Sequence, residues 1–179
     1  MKFSSLIILS PLVYAVHHFE EHIIFNFREW RLKYFLDNNQ FSTEEMLIRL
    51  MIMSLVLIFF YTVRQNRASA HLVLFFLMTT QVVNAIFHVF FSLWYQDFSP
   101  GTITGVLLYL PTNFLIVRAA LQERYLYNFY EAVLLFIAGA IAFTLFELLG
   151  PKLMVFIVLL LPFYYIIMNN LTKNIHYRI

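Results

Sequence analysis

The chain has no cysteine. That excludes disulfide staples, thiolate metal ligands and a cysteine nucleophile, so any metal it holds must be bound through nitrogen and oxygen. Charge is scarce too: 12% of the residues are Asp, Glu, Lys or Arg, against about 25% in an ordinary water-soluble domain. Too few charges remain to coat a surface facing water. The net charge of +2 is small and its cations are dispersed among loops, which excludes the basic tract that tracks a nucleic acid; no nucleic-acid partner is expected. Ten-residue units of alternating polar and apolar residues are lacking as well, which argues against an outer-membrane barrel.

What the chain has instead is apolar length. Of its residues 61% are hydrophobic and its mean hydropathy is +0.75. Several runs approach or exceed the roughly 18 to 20 residues needed to cross a hydrocarbon core. Backbone groups in lipid must be satisfied inside helices. The expected fold is therefore all-α: one domain over 1–179, a polytopic membrane helix bundle of about six transmembrane helices. The spans fall at 4–24, 45–63, 71–95, 102–121, 129–149 and 153–169.

Punctuation between the runs supports these limits. Asn26 to Gln40 mixes Arg and Lys with aromatics and reads as an interfacial segment anchored by Trp30 and Tyr34. Ser42 precedes Glu45 by three residues, a capping box that opens the second span. Gln96 to Gly101 reads as a turn, and Gly150-Pro151 forces a tight reversal. Val13-Tyr14-Ala15 has a small-x-small pattern, yet the apolar run continues past it, so the first segment is expected to be retained.

Arg64 and Arg67, Arg118 and Arg124, and Lys173 and Arg178 lie in alternate connections and in the tail, hence on one side of the membrane, which places both termini in the cytoplasm of a multi-pass cell-membrane protein. Arg28, Arg31 and Lys33 run against this rule.

Ionisable residues inside a span cost several kcal/mol on insertion scales, about 2.5 to 3.5 each, so each needs a partner or a purpose. In this topology His17 to His22 end the first span, Asn84 and His88 lie in the outer half of the third, and Glu147 lies near the outer end of the fifth. All fall at one depth. Residues three and four apart share a helix face, so His17 shares one with Glu20 and Glu21, and His18 shares the neighbouring face with Glu21 and His22. Asn84 and His88 share a face of the third span, with Gln81 one turn below.

Nitrogen and oxygen donors gathered from several helices suit zinc, iron or manganese, and a carboxylate not spent on the metal can act as general base. The candidate metal ligands are His17, Glu20, Glu21 and His88, with Asn84 and Glu147 as weaker ones. Glu20 and Glu21 are the candidate bases. Self-satisfied residues at the membrane surface are the plainer alternative.

The run His17-His18-Phe19-Glu20-Glu21 resembles the motif of the HXXEE family of small multi-pass membrane proteins. The likeness extends through Trp30, the Asn84-x-x-x-His88 element and Pro100-Gly101 before a Thr-bearing helix. The resemblance implies a multi-pass membrane protein whose activity is not established, with a metal site or enzymatic activity suspected. His18-x-x-Glu21-His22 also fits the inverted zinc-protease pattern, with Glu21 as base and Glu147 as a distant ligand.

Three functions follow from these residues. One is a metal-dependent enzyme acting on a lipophilic small molecule in the bilayer. The second is a small transporter or proton pathway continuing through Asn113, Arg118 and Glu131. The third is a structural or partner-binding subunit in which the cluster pins helices together.

Overall fold

The computed structural model describes residues 1–36 and 41–176. The end of the expected interfacial segment, 37–40, and the tail cation Arg178 lie outside the described residues. All regular structure among the described residues is helical. In chain order the elements are α1 (Phe3–Ile7), α2 (Leu9–Phe19), α3 (Phe27–Tyr34), α4 (Thr43–Arg64), α5 (Arg67–Leu77), α6 (Asn84–Tyr95), α7 (Thr102–Thr104), α8 (Leu110–Gln122), α9 (Phe129–Leu149) and α10 (Lys152–His176). Three π-helical turns, Glu20–Ile24, Met78–Val83 and Gly105–Tyr109, continue α2, join α5 to α6 and join α7 to α8.

Four continuous helices among the described residues are long and apolar enough to cross a membrane: Thr43–Arg64, Arg67–Tyr95, Thr102–Gln122 and Phe129–Leu149. They coincide with the second to fifth expected spans and suggest a membrane protein. The outermost expected spans are helical too. The last is represented by the shorter apolar stretch Val155–Leu171, and the first is interrupted at Ile8, between α1 and α2.

Pro11 explains that break. It has no N–H to donate to the carbonyl of Ile7, and the Ser10 hydroxyl donates there instead, at 2.7 Å.

Exposed positions along α4 are Ile48, Ile52, Leu55 and Phe59, an apolar stripe at helical spacing on the outer face. Such a face suits lipid better than water. The buried positions of α9 are Ala132, Leu135, Gly139 and Ala142, also at helical spacing. The small size of Ala132, Gly139 and Ala142 lets α9 press against the π turn at Met78–Val83. A Cβ at Gly139 would lie 3.0 Å from the Thr79 backbone nitrogen, a close approach of the kind small residues permit between membrane helices.

The expected punctuation is present. Ser42 and Glu45 form a reciprocal capping box, Gln96 and Gly101 take positive φ at the turn, and Gly150 does so at the reversal into α10. Trp30 departs from its expected place as a surface anchor, since it is buried. α3 folds back over the bundle, with the Trp30 ring against Phe27, Tyr34 and Tyr95, while the Tyr34 hydroxyl donates to Asp97 at 2.9 Å. An amphipathic segment thus becomes a cover over the end of the bundle that carries the histidines.

Candidate metal centre

Glu20 organises one wall of the site. Its carboxylate accepts the backbone N–H groups of Gly101 at 3.0 Å, Ile103 at 3.1 Å and Thr104 at 2.6 Å, together with the Thr104 hydroxyl. These donors are the otherwise unpaired first amides of the helix beginning at Thr102, where an anion is stabilised by both hydrogen bonding and the helix dipole. Glu20 is buried, and four donors occupy its oxygens. It holds the first span to the fourth and sets the next residue of the network.

The protons in that network can be traced. A hydroxyl has one proton, and a carboxylate only accepts. The Thr104 hydroxyl gives its proton to Glu20, so at 2.8 Å from His17 Nδ1 it must accept from an Nδ1–H. In the neutral ring this leaves Nε2 bare. That lone pair faces Glu21 Oε1 at 3.4 Å.

His88 approaches from α6. Its Nδ1 lies 2.9 Å from the Ser99 hydroxyl, and its Nε2 lies 2.9 Å from the same Glu21 oxygen. Despite these separations, neither histidine Nε2 has a hydrogen bond of acceptable direction, although both atoms are fully buried. The ligand atoms of His17, Glu21 and His88 lie within 4.8 Å of one another. Tetrahedral zinc with bonds of about 2.0 to 2.1 Å separates its ligands by about 3.3 Å, close to the two distances to Glu21.

Gly101 closes the floor. At φ +98° it is in the left-handed region, and a Cβ there would come within 2.9 Å of both His17 Cε1 and His88 Nε2. Glycine is therefore required on two counts: backbone conformation and clearance for the two rings. The Tyr109 ring lies on the other side of His17, 4.2 Å between centroids, and Phe27 of α3 meets His88 at 5.1 Å.

Each of the three helices that supply this site carries a π turn beside its contribution: Glu20–Ile24 at Glu21, Met78–Val83 just before Asn84, and Gly105–Tyr109 just after Thr104. A π turn inserts a residue and re-aims those around it, and such turns gather at functional sites. In the first of them the widened turn sets Glu21 between two faces. His18 and His22, on the neighbouring face with Glu21, are close to it as well: His22 Nε2 is 3.7 Å from Glu21 Oε2, and the ligand atoms of His18, Glu21 and His22 also lie within 4.8 Å of one another.

The remaining expected residues are close by with other roles. Asn84 lines the adjoining cavity with a buried, unpaired side-chain oxygen. Glu147 also lines it, and pairs with Arg31 at 2.8 Å. Gln81 and Asn113 bond to each other at 2.8 Å deeper in the bundle. Glu131, at the other end of α9, pairs with Arg67, beside His71 and the Tyr125 carbonyl.

Sequence reasoning did not single out Thr104 and Ser99 as partners of the histidines, nor Gly101 as their floor. Their trace in the sequence was the placement of Pro100, Thr102 and Thr104 at the depth of the histidine cluster.

A cavity of about 230 Å³ opens from Tyr14, His17 and Glu21 toward apolar side chains that include Met53, Phe76 and Phe143. Its wall is largely hydrocarbon, and its polar end is the histidine cluster.

A family profile described as "Protein of unknown function with HXXEE motif" matches residues 8–116. That stretch is more than half of the chain and contains His17, Glu20, Glu21, Asn84, His88 and Gly101. The chain belongs to the HXXEE family. Within the HXXEE motif the first and last residues, His17 and Glu21, face one point, and the middle Glu20 anchors the facing helix. No curated protein and no solved structure matches the chain.

Proposed function

We propose that this HXXEE protein is a metal-dependent membrane enzyme in which His17, Glu21 and His88 hold a divalent cation and the apolar cavity receives a lipophilic substrate. One observation carries the reading: two buried imidazole nitrogens without hydrogen bonds converge with a carboxylate oxygen on one point. The bare Nε2 of His17 and the anionic Glu21 are both acceptors, and two acceptors facing each other in a dry pocket repel. A proton on His88 Nε2 would satisfy Glu21 but leave His17 orphaned. A metal ion satisfies all three.

Two histidines and one carboxylate leave coordination positions open for water or substrate. The set suits zinc in hydrolysis, or non-haem iron or manganese in oxidative chemistry such as hydroxylation. The protein's own contribution is to fix the ligands: Thr104 and Ser99 orient the two rings, Glu20 holds Thr104, and Gly101 leaves the rings room. Phe27 and the rest of α3 cover the site, while the cavity presents a hydrophobic molecule to it. Distribution of Lys and Arg puts this end of the bundle at the outer leaflet of a multi-pass cell-membrane protein.

Metal content tests the reading. Protein purified from membranes without chelators is expected to carry stoichiometric transition metal, and His17→Ala to lose it while keeping its helical content. Metal-free wild type, with His17→Ala indistinguishable from it in stability, would sink the reading.

A further inference from the structure

The arrangement around Glu21 goes beyond one ion. Its two oxygens face different histidine pairs. Oε1 meets His17 at 3.4 Å and His88 at 2.9 Å, while Oε2 is 3.7 Å from His22. His18, one helical turn before His22, lies with its ring tilted against that of His22, 4.4 Å between centroids. His18, Glu21 and His22 form a second set of donor atoms, all within 4.8 Å of one another. Both histidines line the cavity.

Local geometry explains how one carboxylate can serve both sets. His17 and Glu21 are four residues apart, as are His18 and His22, and the two pairs occupy neighbouring faces of α2 and its continuation. Glu21 lies in the π turn, on the boundary between them. A carboxylate so placed can give one oxygen to each side.

We propose that Glu21 bridges two divalent cations, the first held by His17 and His88 on Oε1 and the second by His18 and His22 on Oε2. This rests on the metal-dependent reading above and deepens it, turning a single-ion centre into a carboxylate-bridged pair. His18 and His22 both line the cavity, as do His17 and Glu21, so a lipophilic substrate held there has access to the pair.

Two ions about 3.5 to 4 Å apart can hold a substrate oxygen and an attacking water together, the arrangement of many phosphoester and peptide hydrolases. The class of substrate favoured is therefore a lipophilic ester or phosphoester, whose polar group reaches the ions while its chain occupies the cavity. Such a pair also explains why the stretch from His17 to His22 places donors on two faces of one helix, which a single-ion site does not require.

The test is zinc stoichiometry. Wild type, a His18→Ala/His22→Ala double variant, a His17→Ala/His88→Ala double variant and Glu21→Gln are dialysed against Zn2+ in detergent, and bound zinc per chain is measured. Two ions on wild type, one on His18→Ala/His22→Ala and a strongly reduced load on Glu21→Gln are expected. The ion retained by His18→Ala/His22→Ala also certifies that this variant is folded.

Loading with Mn2+ adds an independent readout. An exchange-coupled pair signal is expected in wild type and an isolated-ion signal in His18→Ala/His22→Ala. Wild type saturating at one ion, with His18→Ala/His22→Ala unchanged at one, overturns the bridged pair and leaves the first site standing. Loss of all zinc from His18→Ala/His22→Ala, while His17→Ala/His88→Ala still binds, contradicts the assignment of ligands. A wild type that takes up no zinc and no manganese removes the parent reading as well.

Discussion

At the scale of single residues, the site depends on a relay of short polar contacts that ends in one lone pair. The Thr104 hydroxyl donates to Glu20 and accepts from His17 Nδ1–H, so the neutral His17 ring presents a bare Nε2. Thr104→Val keeps the volume and removes the relay. The first backbone amides of the helix still bond to Glu20, so the fold is expected to survive. Metal affinity should fall about 10- to 100-fold, the usual cost of losing a partner that orients a metal-ligating histidine, and a competition titration with a fluorescent zinc chelator would read it. Unchanged affinity would mean that Thr104 does not set the ring.

The sequence made His17, Glu21 and His88 legible because titratable groups at one depth of a membrane span are expensive and therefore informative. It did not separate Glu20 from Glu21. Both lie on the His17 face at helical spacing, and only the packing of Gly101 to Thr104 against α2 decides that Glu20 becomes an anchor. Asn84 was legible as a polar partner of His88 and stands in the cavity wall with an unpaired oxygen.

At the scale of elements, four of the expected spans were legible from length and hydropathy alone, together with the capping box at Ser42 and the reversal at Gly150-Pro151. The π turns were not. They depend on tertiary packing that relieves or imposes an inserted residue, and the sequence signal is faint: Pro111, which lacks an amide proton, follows one of them. Burial of Trp30 was hidden for a related reason, since an aromatic, basic segment reads alike whether it lies on lipid or on protein.

The close packing of α9 on the π turn before Asn84 makes a prediction at this scale. Gly139→Val places carbon where the Thr79 backbone stands, and overpacking of this kind costs about 1 to 3 kcal/mol. Because the turn positions Asn84 and His88, the variant is expected to lose metal affinity along with thermal stability in detergent, although Gly139 is not a ligand. Lower stability with full metal affinity would show that the turn does not position His88.

At the scale of the whole molecule, the bundle separates two polar ends. One carries the Arg67–Glu131 pair with His71 and Tyr125, where the donors and acceptors bond to one another. The other carries His17, Glu21 and His88, where two buried nitrogens remain without hydrogen bonds and an apolar cavity opens beside them. At the first end the polar groups satisfy one another; at the second they leave room for the cation and ligand proposed above.

Leu50, on the α4 side of the cavity wall, allows the two parts of the proposal to be separated. Leu50→Trp is expected to narrow the cavity and weaken binding of a hydrophobic ligand such as a fluorescent fatty ester at least tenfold, with metal content unchanged. Equal ligand binding by wild type and variant would disconnect the cavity from function.

The central claim is that His17, Glu21 and His88 coordinate a divalent cation. X-ray absorption of the metal-bearing wild-type protein tests it most directly. The account predicts a first shell of nitrogen and oxygen at about 2.0 to 2.2 Å, with imidazole scattering that weakens in His88→Ala. A shell of water-like oxygen alone, identical in wild type and His88→Ala, would contradict it.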